Sequence, residues 1–79
     1  MSTQYLVVDT EYAPGAVAIQ HYDAGGDLSS THNLGSVYII DPATRLANAA
    51  ELLSADWRIV GHWSAVDGGY DIPIERVEG

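Results

Sequence analysis

Three observations predict an α+β fold with a mostly antiparallel sheet. Short runs of apolar residues alternate with polar ones, turn residues separate those runs, and one stretch places its apolar residues at helical spacing. The expected architecture is a sheet of four to five strands with one helix packed on one face, in the order β-β-β-α-β-β. Connections this short join antiparallel neighbours, so a parallel sheet is excluded.

Residues 4–10 (Gln-Tyr-Leu-Val-Val-Asp-Thr) are rich in aromatic and β-branched side chains and are short enough for a first strand. Ala13-Pro14-Gly15 supplies turn chemistry, and residues 16–22 return as a second strand with Val17 and Ile19 on one face. Asp23-Ala24-Gly25-Gly26 reads as a tight turn, followed by a short, poorly specified strand around residues 28–32. Residues 36–40 (Ser-Val-Tyr-Ile-Ile) are nearly continuously apolar, which predicts a central strand contacted on both faces.

Asp41-Pro42 marks a helix start: Asp accepts free first-turn amides, and Pro at the first helical position has no N–H to leave unpaired. Leu46, Ala49, Ala50 and Leu53 follow at i, i+3, i+4 and i+7, with Ala43, Ala47 and Leu52 widening the stripe, and the helix is expected to end near Ala55 or Asp56. Residues 57–64 alternate as a strand, with Trp57, Ile59 and Trp63 on one face and both tryptophans expected in the core. Asp67-Gly68-Gly69 then turns the chain into a last strand, where Tyr70, Ile72 and Ile74 alternate with Asp71, Pro73 and Glu75. Pro73 has no amide hydrogen to donate, so this strand is expected to lie at an edge or to change partner there.

At 79 residues the chain is read as one domain, 1–79, whose core is modest and which a homodimer would help to stabilise. It has no cysteine, so neither disulfides nor thiolate metal sites are expected. Residues 1–12 carry no basic segment ahead of an apolar run and nothing approaches membrane-spanning length, so the expectation is a cytoplasmic protein. The three basic residues are all arginine (Arg45, Arg58, Arg76), which leaves no lysine for a Schiff base or a phosphate-binding loop.

No residue set specifies a reaction, so no enzyme and no cofactor is expected. His21, His32 and His62 fall outside any metal-ligand or catalytic spacing. Ser29, Ser30 and Thr31 lack a nucleophile elbow. Asp23 and Asp27 lack the remaining ligands of a calcium loop and read as turn caps.

Charge is the stronger signal. Eleven acids against three bases give a net charge of −8, which disfavours direct contact with nucleic acid or anionic membrane and favours a basic protein surface. The acids crowd two places: Asp67, Asp71, Glu75 and Glu78 along the last hairpin, and Asp9 and Glu11 at the end of the first strand. With Tyr70 as an aromatic anchor, these are the candidate partner-binding residues. Carboxylates on neighbouring strands form a regular negative array that can imitate a phosphate row.

In size, charge, lack of cysteine and plain α+β build, the chain resembles the small acidic anti-CRISPR and DNA-mimic proteins of phages and mobile elements. That resemblance implies an inhibitor occupying a basic nucleic-acid-binding surface of a host protein complex, and it assigns no site residue. The other reading is a small adaptor or homo-oligomerising domain whose acidity only confers solubility.

Overall fold

The computed structural model describes residues 3–37 and 42–77. The elements are β1 (Thr3–Asp9), β2 (Ala16–Tyr22), β3 (Leu28–Ser36), α1 (Pro42–Glu51), β4 (Trp57–Ile59), β5 (Ser64–Val66) and β6 (Gly69–Arg76). Every pairing is antiparallel, in the order β3-β2-β1-β6-β4, with β5 also paired to β6. The α+β class therefore holds. The described strands number six, one or two more than expected, and follow the order β-β-β-α-β-β-β.

The core follows from the period-two alternation of the central strands. In β1, Leu6 and Val8 are fully buried, while Tyr5 and Val7, which alternate with them, are half-buried. Leu6 stands opposite Ile19 of β2 and Ile72 of β6, and Val8 opposite Val17. With Ile74 and Ala49 these residues form the buried cluster. Burying each large aliphatic side chain contributes about 1.5–3 kcal/mol.

Helix α1 begins at Pro42, as the missing N–H of proline allows. Its small Ala49 is fully buried against the sheet, flanked by partly buried Leu46 and Leu53. The wider stripe does not hold at Ala47 and Leu52, which are exposed, and the Ala43 side chain lies outside the described residues. The helix also stops at Glu51, short of Ala55. The amides of Leu52 and Leu53 bond three residues back, to Ala49 (3.1 Å) and Ala50 (3.2 Å), tightening the last turn. Ser54 Oγ then accepts from the Asp56 amide at 3.3 Å, giving the backbone a partner outside the helix.

The third described strand is longer than expected. The weak segment around 28–32 extends into a nine-residue strand, Leu28–Ser36, at the edge of the described sheet, interrupted by two register shifts against β2. Of the central strand expected over 36–40, Tyr38, Ile39 and Ile40 lie outside the described residues, as does the Asp41 cap. Strand β3 carries little apolar signal because it is exposed throughout except at Leu34.

The strand expected over 57–64 is split into β4 and β5. Strand β4 reaches only to Ile59, opposite Ile74, and β5 starts at Ser64, opposite Asp71. The last strand thus changes partner around Pro73, one of the two outcomes its proline predicts, and β6 lies inside the sheet, between β1 and β4/β5. Trp57 and Trp63 both pack against the core from either side of the break. No described helix is long and apolar enough to cross a membrane.

Because α1 packs against the Leu6, Val8 and Ile72 side, the alternate residues Tyr5, Val7, Ala18, Gln20, Tyr22 and Asp71 face the other way. Among the described residues no element covers that second face.

Candidate functional site

Two loops meet at one end of the uncovered face. The Thr10 amide donates to the Gly68 carbonyl at 2.9 Å, tying the β1–β2 connection to the β5–β6 turn. Asp9, the last residue of β1, organises the first loop. Its Oδ1 accepts the amides of Glu11 (2.8 Å) and Tyr12 (3.1 Å), and its Oδ2 accepts that of Ala13 (3.2 Å). The Glu11 amide, foremost, holds the Asp9 carboxyl below the usual range, outweighing partial desolvation with help from the other two amides.

Asp71 lies on the same face of neighbouring β6, two positions along from Gly69, the partner of Asp9. This diagonal places the two backbones about 7–8 Å apart. Desolvation raises the Asp71 carboxyl above its ordinary value. Asp67 is exposed in the turn itself, and the Glu11 side chain reaches towards Gly68 in the same turn. Asp9, Glu11, Asp67 and Asp71 are therefore brought together although they come from opposite ends of the chain.

The other candidate residues do not join them. Glu75 shares the face but lies four residues along β6 from Asp71, about 13 Å away. It pairs with Arg58, its neighbour across the β4–β6 ladder, and the pair is well exposed, which limits its contribution to about 0–1 kcal/mol. Tyr70 stands opposite Val8 and is half-buried on the helix side, so it does not flank the acids as an open-face anchor. Glu78 lies outside the described residues. The acids accordingly make a cluster at one end of an interior strand pair, and not a row along a sheet edge.

Beside the acids, the uncovered face carries aromatic and small apolar groups. Tyr5 and Tyr22 meet edge to face, with centroids 5.7 Å apart at 83°, and the Tyr22 hydroxyl donates to Gln20 Oε1 at 2.8 Å. A shallow depression of about 290 Å³ lies between them and the loops, lined by Val7, Ala18, Gln20, Asn33 and Asp67, with Tyr12 at its rim. Tyr12 is 89% exposed. The alternation Tyr5-Leu6-Val7-Val8 already assigns Tyr5 and Val7 to the face away from the core. What the alternation leaves open is which acids stand next to them.

Among the histidines, His21 and His32 line one cavity on the helix side of the sheet, whereas His62 is exposed in the β4–β5 connection. No three His, Asp or Glu side chains among the described residues are grouped to hold a metal ion. Asp23 acts as a turn cap, its Oδ1 accepting the amides of Gly25 (2.9 Å) and Asp27 (3.1 Å). Comparison with protein-family models, with curated proteins and with solved structures finds no match for this chain.

Proposed function

We propose that this chain is a non-enzymatic binding protein of the anti-CRISPR or DNA-mimic kind, which docks the acidic end of its uncovered sheet face onto a basic, nucleic-acid-binding protein surface. The observation that carries the reading is the convergence of Asp9, Glu11, Asp67 and Asp71 beside an open face bearing Tyr5, Val7 and Tyr22. No ion pair to any of these four acids is recorded among the described residues. The charges of Glu11, Asp67 and Asp71 are thus available to a partner, and Tyr5, diagonal to Asp71, with Val7 and Ala18 supplies surface that gains from burial.

Affinity capture from a bacterial lysate tests it, with wild type and with Glu11→Gln/Asp67→Asn/Asp71→Asn run side by side. The expected captured protein is a nucleic-acid binder that is released by added DNA or RNA, by about 0.5 M salt, and by the triple substitution. Capture that survives both high salt and the triple substitution overturns the reading.

A second reading, self-association, rests on a different observation. Strand β3 presents a nine-residue edge without a single charged residue, in a chain whose net charge is −8. Uncharged edges are open to pairing with another strand. Sedimentation at increasing protein concentration decides it: a dimer supports edge pairing, and a monomer throughout removes it.

A further inference from the structure

The helix side of the sheet holds a cavity of about 550 Å³ between the β2–β3 end and the loop that follows α1. Its apolar wall includes Leu34, Leu52 and Trp57, and its polar groups include His21, His32 and Arg76. A volume of about 300–1,000 Å³ with an apolar wall and a few convergent polar groups is the ordinary form of a small-molecule site.

The charge of this wall is balanced, one arginine against one aspartate, unlike that of the rest of the molecule. Of the three basic residues in the chain, two have described side chains: Arg58 is paired with Glu75 on the far face, and Arg76 lines the cavity. Two of the three histidines line it as well. Of the eleven acids, Asp56 alone contributes to the wall among the described residues, and the Ser54 hydroxyl reaches its Oδ2 at 3.5 Å.

Trp57 organises the cationic side. The Arg76 guanidinium sits over the indole at 5.3 Å from its centroid, and the His21 ring meets the same indole at 5.9 Å and 61°. No ion pair to Arg76 is recorded among the described residues. A guanidinium held against an aromatic face keeps its N–H fork free for a planar oxyanion, and each imidazole has at least one N–H to donate.

We propose that this cavity binds a small organic monocarboxylate with a flat apolar body, its carboxylate on the Arg76 fork and its body against Leu34, Leu52 and the Trp57 edge. Arg76 is the single fixed cation of the wall and Asp56 already adds one negative charge to it, so a second charge on the ligand would go unanswered. A phosphate dianion would enter a molecule of net charge −8 with only half its charge answered, so a monoanion is favoured. The site lies on the opposite face from the acidic end and is independent of it.

The test is an NMR titration of the whole chain with benzoate, following the Trp57 and Trp63 indole signals, with benzamide as the neutral isostere and inorganic phosphate as the dianion. Benzoate is expected to shift Trp57 saturably, with a dissociation constant of order 1 mM, while Trp63 moves little. Arg76→Gln is expected to weaken benzoate at least tenfold, and Arg58→Gln to change it less than twofold. Leu52→Trp, which fills the mouth from an exposed position, is expected to abolish binding even if Arg76→Gln disturbs the strand end. The proposal is overturned if benzoate produces no saturable shift up to about 10 mM, if benzamide or phosphate binds as well as benzoate, or if Arg58→Gln weakens binding as much as Arg76→Gln.

Discussion

Gly61 lies so close to Pro73 that a Cβ at position 61 would overlap the Cγ of the proline ring. The two residues explain why the outer strand breaks. The Pro73 carbonyl accepts the Val60 amide at 3.0 Å, and in a strand the N–H and C=O of one residue point to the same side. The missing donor of Pro73 therefore faces β4 and β5, whose chain departs from the ladder there, and glycine lets it pass over the ring. Gly61→Ala is expected to destabilise the fold by about 1–3 kcal/mol, read as a lower urea midpoint with an unchanged slope. A midpoint equal to wild type would remove this account of the break.

Gly69 makes a second close approach, with a Cβ there running into the Val8 carbonyl oxygen of β1. Backbone cannot yield as a flexible side chain can. Gly69→Ala is expected to cost at least as much as Gly61→Ala and to separate β6 from β1 locally, seen as faster amide exchange at Val8 and Thr10.

The two faces of β1 differ in what they support. Leu6→Ala removes a fully buried side chain from the centre of the cluster and is expected to cost about 2.5–5 kcal/mol. Tyr5→Ala, one position away on the uncovered face, is expected to cost less than half as much. Equal losses in urea unfolding would contradict the assignment of faces.

Asp9 and Asp71 pull the pH dependence of stability in opposite directions. The Asp9 carboxyl is lowered in the folded state, so its contribution is present above the unfolded value near 3.9 and fades as pH falls through the folded value. Asp71 is raised, so its effect is most favourable below the unfolded value and is lost as pH rises through the folded one. Asp71→Asn is therefore expected to raise the thermal midpoint at about pH 7, with the gain shrinking towards about pH 3. Asp9→Asn is expected to lower the midpoint at neutral pH and to flatten the loss on acidification. Midpoints that move the other way would refute the assignment.

Local chemistry along the chain specifies a good part of this molecule. The alternation of residues 4–8, 17–19 and 70–74 determines which side chains are buried, because a strand places successive residues on opposite faces whatever its partner. Pro14-Gly15, Gly25-Gly26 and Asp67-Gly68 determine the turns, since few other residues accept those backbone angles. The strand at Leu28–Ser36 is legible only as a short, weak strand around 28–32, because an exposed edge needs no apolar pattern, only the ladder that β2 offers it. The acid cluster and the His21–Trp57–Arg76 wall escape this reading. Sequence supplies their charges and rings, but the sheet order β2-β1-β6-β4 brings Asp9 beside Asp71 and His21 against Trp57. That order is decided by the burial of Leu6, Val8, Val17 and Ile72 in one core, a cooperative result that no segment carries alone.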